Sequence, residues 1–279
     1  MNNKTENIQI KYREHYLKKI NGFEVDYNKI LNKYLDKIRK IIFDHSNNSG
    51  NLNKSSKNTV VKSIKLLNNW LRIETEDIIS NYILQTIKIA LLGQIKALKW
   101  YAEHIGITNS DINKLKNKYN KEKITNIREE IWNKKWSDGL NIDTRLDKLN
   151  KTNVKEINNI INKNLNSNNT IIVLFNNIVY RTSNPEGLSY KNQMLRIART
   201  ETNSAYRLTQ KLIGEDADNV IGIKWNLSTS HPNYSYYEVC ERYAKEDHAG
   251  LEPGVYKPKD LPEVPHPECL CYLTFLFKN

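Results

Sequence analysis

Side chains that can bind a metal or act as nucleophiles are concentrated near the end of the sequence. Cys240, Cys269 and Cys271 are the only cysteines in the chain, and His266 lies three residues before Cys269. Thiolates and an imidazole are ligands that tetrahedral zinc prefers. These four residues therefore form a candidate site for one structural zinc ion. Plain thiols are the alternative, because no C-x2-C pair accompanies them.

The same region allows two kinds of enzyme chemistry. A cysteine activated by His231, His248 or His266 would be a nucleophile, although no Gly-rich oxyanion loop accompanies such a pair. A metal-dependent hydrolase or nuclease would combine Glu201 with the Cys/His tail, although the sequence contains no H-E-x-x-H motif.

Glu201 is a candidate functional residue because it interrupts the apolar stripe of a predicted helix over 189–213. The rest of the stripe is Met194, Ile197, Ala198, Ala205, Leu208 and Leu212. A buried carboxylate must be paired or hydrogen-bonded, since an isolated buried charge costs several kcal/mol. We interpret Arg199, Glu201 and Asn203 as a structural tie between this helix and the Cys/His tail. A general base and a metal ligand are the alternatives for Glu201.

The elements that must position these residues are mainly helical. Apolar spacings of three and four predict helices over 12–43, 59–105, 111–119, 144–149, 154–165 and 170–179. A break is expected near Glu74–Asp77, and Asp143 is expected to cap the helix that starts at Thr144. The Asn/Ser/Gly-rich stretch 45–57 predicts a loop.

The last third of the chain has a different pattern. Alternation over 220–227 predicts a strand with Trp225 facing the core. The four prolines of 250–265 favour an ordered, extended strap, held down by Val255, Tyr256, Leu261 and Val264. The predicted fold is therefore mainly α, with a basic helical N-terminal region over 1–135. A small α+β C-terminal domain follows over 136–279, with a short β element and an irregular Pro-rich Cys/His tail.

Composition excludes several classes of protein. The mean hydropathy is −0.68 and no apolar run approaches the length needed to span a bilayer, so no membrane partner is expected. The first eighteen residues contain no apolar segment typical of a secretory signal. An odd number of cysteines argues against a disulfide framework.

The positive charge is unevenly distributed. Residues 1–189 contain 32 Lys and Arg against 19 Asp and Glu, whereas residues 190–279 contain 11 against 12. A basic helical region suits an anionic partner such as nucleic acid, because each lysine near a phosphate releases a counterion. Solvated helix surfaces are the alternative, since no recognition motif accompanies the charge.

Several short motifs resemble those of phage Mu F-like minor head proteins, in the same order. They are Arg196-Ile-Ala-Arg-Thr-Glu-Thr-Asn203, Lys224-Trp225, Ser230-His231-Pro232, Cys240, Gly250-Leu-Glu-Pro-Gly-Val-Tyr256 and His266-Pro-Glu-Cys-Leu-Cys271. The resemblance covers roughly residues 136–273. This chain departs from the family at Tyr243, where many members have the second cysteine of a C-x-x-C pair.

The resemblance implies a structural role in virion morphogenesis and no catalytic activity. It implies a low-copy component of the head of a tailed phage or prophage, near the portal, linked to head assembly and DNA delivery. Its partners would be portal and capsid proteins, together with packaged DNA contacted non-specifically through residues 1–189. The protein would reside in the virion head, and in the bacterial host cytoplasm during assembly.

Overall fold

The computed structural model describes residues 2–105, 109–184, 187–228 and 238–278. Over these ranges the chain is 73% helical, with eight α-helices and a three-stranded antiparallel sheet, which confirms the predicted mainly α class with a small β element. The helices are α1 (Asn2–Asp44), α2 (Lys57–Ile105), α3 (Asn109–Lys118), α4 (Lys121–Asn133), α5 (Ile142–Asn166), α6 (Ile171–Ser183), α7 (Tyr190–Asp216) and α8 (Glu238–Lys245). The strands are β1 (Val220–Asn226), β2 (Val255–Tyr256) and β3 (Tyr272–Phe277).

Helix α2 runs unbroken from 57 to 105, so the predicted break near Glu74–Asp77 is wrong. The polar residues that suggested it are satisfied within the helix. The Thr75 hydroxyl donates a 2.7 Å hydrogen bond to the Leu71 carbonyl oxygen, and Arg72 pairs with Glu76 at 3.2 Å. Polar residues one turn apart stabilise each other and do not end the helix.

Helix α2 also corrects the expectation that no segment of the chain is long and apolar enough to span a bilayer. By length and composition alone, the helical segment 54–104 could cross a membrane, with a window of mean hydropathy 1.3. Of that window, 56% is buried inside the protein. More than half of the window is thus covered by the protein itself, as in a core helix.

Helix α5 replaces the two short helices predicted over 144–149 and 154–165. It begins at Ile142 and is capped by Asn141, not Asp143. The Asn141 side chain accepts a hydrogen bond from the Thr144 backbone N–H at 3.0 Å, and the Thr144 hydroxyl accepts one from the Asn141 N–H at 2.9 Å. This reciprocal capping box fixes the start of the helix. No helix was predicted over the range of α4.

The chain divides into two compact units that do not follow the sequential division at residue 135. The first comprises 1–21, 81–132 and 199–279, and the second comprises 22–80 and 133–198. Helices α1, α2 and α7 each contribute one segment to each unit. The division into a basic helical N-terminal region over 1–135 and a C-terminal domain over 136–279 stays a prediction.

The second unit contains a buried cluster of polar side chains around Asn153 and a partly exposed group of ion pairs around Arg72. The Asn153 amide of α5 donates to Asn68 Oδ1 at 2.8 Å and to the Tyr34 hydroxyl at 3.4 Å. Arg72 lies 2.6 Å from Asp147 and 3.6 Å from Asp143. These bonds join α5 to α1 and α2 within the unit, because buried polar groups need partners.

The first unit contains the sheet, in the order β2-β1-β3. Strand β1 matches the predicted strand, and Trp225 is buried as predicted, with 1% of its surface exposed. The four apolar residues expected to hold down the strap, Val255, Tyr256, Leu261 and Val264, are all buried. Strand β3, which pairs with β1 in the register Trp225 opposite Leu273, had no prediction.

Gly254 fixes the path of the strap between α8 and β1. Its N–H donates to the Glu246 carbonyl, and its own carbonyl accepts from the Trp225 N–H, both at 2.8 Å. Its φ is +76°, and a Cβ there would lie 2.6 Å from the Ala244 carbonyl oxygen. Gly250 shares the positive φ, at +67°, but a Cβ there meets nothing within 4 Å.

We expect Gly254→Ala to destabilise the protein much more than Gly250→Ala. Both substitutions force alanine into the left-handed region, at a cost of about 1–2 kcal/mol. Only Gly254→Ala adds a clash with backbone, which costs about 1–3 kcal/mol more. Urea unfolding of the two variants measures the difference. Equal losses of stability would show that the strap yields at residue 254.

Candidate metal centre

The three cysteines converge in the first unit. Cys240 lies on α8, whereas Cys269 and Cys271 lie in the segment that leads into β3. Their sulfur atoms all lie within 4.8 Å of one another, and the Sγ atoms of Cys240 and Cys269 are 3.7 Å apart. Each residue is at most 2% exposed. This cluster of three buried cysteines can bind a metal ion.

His266 adjoins this cluster. Its Nε2 atom lies 3.2 Å from the Cys240 sulfur, and its Nδ1 atom lies 2.8 Å from the Pro267 carbonyl oxygen. A carbonyl oxygen only accepts hydrogen bonds, so Nδ1 carries the proton. In the neutral ring Nε2 is then unprotonated, with its lone pair directed at the Cys240 sulfur. A backbone carbonyl that fixes the tautomer in this way is typical of metal-binding histidines.

The C-x-C spacing of the tail is compatible with a shared metal ion. Side chains two residues apart in an extended segment point to the same side. Glu268, just before Cys269, has a φ of +57°, which places a sharp turn between His266 and the cysteines. The turn and the spacing together bring His266, Cys269 and Cys271 toward Cys240.

The cysteines differ in their affinity for protons. The pKa of Cys269 is lowered well below its usual value, first because Cys240 and then Cys271 donate hydrogen bonds to its sulfur, and further because Arg207 is nearby. The Nη2 atom of Arg207 lies 3.8 Å from this sulfur. The pKa of Cys240 is raised, because its proton is held in the bond to Cys269. Of these two cysteines, Cys269 is therefore the one that more readily loses its proton.

Helix α8 is held by an aromatic cluster around Tyr243. The Tyr243 ring packs edge-on against Trp225, with centroids 5.0 Å apart, and against Tyr256 at 6.3 Å. The Tyr256 hydroxyl donates to the Tyr243 carbonyl oxygen at 3.1 Å. Tyr243, which stands where many Mu F-like proteins have the second cysteine of a C-x-x-C pair, thus packs α8 onto the sheet. That packing positions Cys240, one turn earlier.

Helix α7 holds the cysteine-bearing tail by a row of side chains that donate to its carbonyl oxygens. Asn203 Nδ2 donates to the Cys269 carbonyl at 2.6 Å, Arg207 Nη2 to that of Cys271 at 2.7 Å, and Gln210 Nε2 to that of Leu273 at 3.1 Å. The guanidinium of Arg207 also lies 3.9 Å from the centre of the Trp225 ring. The burial of Arg207 was not predicted, because one arginine among the several basic residues of α7 carries no sequence signal of burial.

The same helix meets the turn before the cysteines through Thr200 and Arg199. The Thr200 hydroxyl accepts from the Glu268 N–H at 3.2 Å. Arg199 pairs with Glu268 at 3.4 Å, and both side chains are more than two-fifths exposed. Exposed pairs of this kind contribute little to stability. Of the predicted tie, Asn203 makes a buried contact with the tail and Arg199 an exposed one.

Helix α1 covers the tail with two further contacts. Arg13 Nη2 donates to the Leu270 carbonyl oxygen at 2.6 Å, and Gln9 Oε1 accepts from the Phe275 N–H at 2.8 Å. The carbonyls of residues 269, 271 and 273 thus contact α7, and that of residue 270 contacts α1. This alternation is the geometry of extended backbone.

Glu201 is buried, with 1% of its surface exposed. The predicted apolar stripe is buried at Met194, Ala198 and Ala205, but Ile197, Leu208 and Leu212 are only half-buried. Every residue from Thr200 to Arg207 is buried, including the polar ones. The helix is covered on all faces here, so burial does not follow a single stripe. The space beside Asn203 and Arg207 is a narrow cleft of about 10 Å³, room for about one water molecule.

The histidines proposed as catalytic bases occupy different surroundings. His231 lies outside the described residues. His248 stacks on Tyr256 with ring centroids 4.4 Å apart. His266 is the histidine that the structure brings to the cysteines, through Cys240.

Comparisons of the chain with protein-family models, with curated proteins and with solved structures find no match. The resemblance to Mu F-like minor head proteins therefore stays a prediction from the motifs.

We expect Asn203→Ala to lower the free energy of unfolding by about 1–3 kcal/mol, because it leaves the buried Cys269 carbonyl without its donor. Arg199→Ala is the matched control on the same helix and should cost at most about 1 kcal/mol, since its ion pair is exposed. Chemical denaturation measures both. Equal effects would contradict the assignment of Asn203 as the main tie.

Proposed function

We propose that the protein is a minor head protein of a tailed phage or prophage that acts through structure and contacts with other macromolecules. Its C-terminal region would be stabilised by one zinc ion bound to Cys240, His266, Cys269 and Cys271. Its partners would be portal and capsid proteins, and its place the virion head after assembly in the host cytoplasm.

The observation that carries the proposal is the contact between the two most specific motifs of the resemblance. Asn203, from Arg-Thr-Glu-Thr-Asn, donates to the carbonyl oxygen of Cys269, from His-Pro-Glu-Cys-Leu-Cys. The motifs are 66 residues apart in sequence and meet within the buried part of one unit. A shared structural role explains why both motifs occur together, because each one satisfies the other's buried groups.

The chemistry of the ligands favours a structural ion. Three thiolates and one imidazole would supply all four ligands of a tetrahedral zinc ion, which would leave no position for the water that a catalytic zinc ion needs. Glu201, the acid proposed for a hydrolase or nuclease, is buried in the fully covered segment of α7. A general base must reach its substrate. These features favour the interaction protein over the metal-dependent enzyme.

Metal content tests the zinc centre. We expect the purified full-length protein to contain about one equivalent of zinc, and a strong chelator to lower its melting temperature, because metal binding is coupled to folding. Cys240→Ser and Cys271→Ser should lose the ion. His266→Ala should bind it more weakly, whereas the control His15→Ala, at an exposed position of α1, should retain it. Protein that contains no metal and has three freely titrating thiols would refute the centre.

Glu201→Gln separates the structural role from the catalytic one. We expect lower thermal stability, because the substitution changes a buried group that the fold encloses, and no change in the rate of DNA or peptide hydrolysis above background. A variant that folds with unchanged stability but loses a measurable hydrolytic activity would instead support the enzyme.

The assignment as a head protein is tested by measuring whether the chain is incorporated into assembled phage heads. The first step is to sequence the neighbourhood of the gene, where we expect portal and capsid genes. The chain is then expressed together with those genes, and heads are purified by density gradient. We expect a few copies of the chain per particle by quantitative mass spectrometry, and loss of incorporation with Asn203→Ala. Recovery of the folded chain only in the soluble fraction, with well-formed heads lacking it, would overturn the assignment.

A further inference from the structure

A lysine-lined groove lies in the first unit, between the first half of α1 and the second half of α2. It encloses about 380 Å³ and is lined by Lys11 and Tyr12 of α1 and by Lys96, Lys99 and Trp100 of α2. The lysine side chains are exposed, and the two aromatic rings are half-buried. We call these five residues the lysine groove.

Aromatic rings lie beneath three lysines where the first half of α1 packs against the second half of α2, a contact that we call the seam. Lys96 Nζ lies 5.4 Å from the centre of the Tyr12 ring, and Lys4 Nζ lies 5.7 Å from that of Trp100. Farther along the seam, Lys19 Nζ lies 5.6 Å from the Tyr82 ring. A cation over a ring face is attracted by the ring's negative potential. Three lysines of these two helix segments thus have their ammonium groups placed over aromatic rings.

A glycine makes this arrangement possible. A Cβ at Gly93 of α2 would lie 2.7 Å from the Cβ of Tyr12, so only glycine lets Tyr12 lie against the α2 backbone. Trp100 is engaged as well, because His104 stacks on it with ring centroids 3.9 Å apart. The rings serve to position cations and are not open platforms for stacking bases.

The charge around the groove is strongly positive. Residues 2–21 and 81–105 together contain eight Lys and Arg against three Asp and Glu. The acid that lines the groove is Glu103, which lies 3.8 Å from Lys99. Most of the local cations are therefore not balanced by acids in these two segments.

We infer that the lysine groove binds the phosphate backbone of duplex DNA without sequence preference. Ammonium groups recognise phosphate as point charges and do not discriminate bases. Duplex DNA carries about one charge per 1.7 Å, so it releases counterions when several lysines bind its phosphates. This inference deepens the proposed function, since a head protein near the portal meets packaged DNA.

The test is DNA binding by purified full-length protein, measured by fluorescence anisotropy with a labelled duplex of mixed sequence over a range of salt concentrations. The variant Lys11→Ala with Lys96→Ala should weaken binding about tenfold or more, and should reduce the slope of log K against log salt by about 1.8. The control is Lys148→Ala with Lys155→Ala, two exposed lysines of α5 in the same basic region. It removes the same charge and should leave the slope unchanged.

Equal losses in the groove variant and the control would overturn the inference, because binding would then follow net charge alone. Absence of salt-dependent binding would also overturn it. A second arm uses anionic phosphatidylserine vesicles; binding to vesicles but not to DNA would assign the groove to a membrane surface. Incorporation into heads is measured separately, so a chain found in heads that does not bind DNA refutes this inference and leaves the proposed function intact.

Discussion

The structure of the first unit depends on buried peptide groups that have no strand partner. The tail from Cys269 to Leu273 enters the core beside a helix, and its carbonyl oxygens must find donors there, since an unpaired buried carbonyl is costly. Helix α7 provides them from Asn203, Arg207 and Gln210. The donors are three or four residues apart on the helix, a rise of about 4.5–6 Å, and the carbonyls are two residues apart on the extended tail, about 6.6 Å. The spacing of the donors therefore matches that of the carbonyls over this short length.

This match explains the polar centre of α7 and the position of the cysteines together. A helix covered on all sides would ordinarily be apolar, yet α7 keeps amide and guanidinium groups where the tail passes. Because the tail is fixed through its backbone, its side chains remain available, and those of Cys269 and Cys271 lie beside Cys240. A metal ion would then add bonds to a cluster that hydrogen bonds have already assembled, and the ordering of the tail would favour its binding.

The elements that could be predicted from sequence are those set by local periodicity. The long helices, strand β1 and the buried strap residues all follow from repeating apolar positions or fixed proline angles. Contacts over long sequence distances left no such signal. Strand β3 needs β1 as its partner, and Arg207 is buried only because the tail and Trp225 surround it. The predicted breaks in α2 and α5 were wrong for a related reason: polar residues marked them, and tertiary or i,i+4 partners satisfy those residues within continuous helices.

Helix α1 shows how one amphipathic segment can serve two surfaces of the same unit. Gln9 and Arg13, four residues apart, face the tail and bond to its backbone. Lys4 and Lys11, seven residues apart, belong to the seam with α2. Two residues of helix turn through about 200°, so Gln9 and Lys11 lie on nearly opposite sides. The contacts that fix the cysteines and the lysines offered to an anionic partner are therefore separable by substitution, although the same few turns of helix carry both.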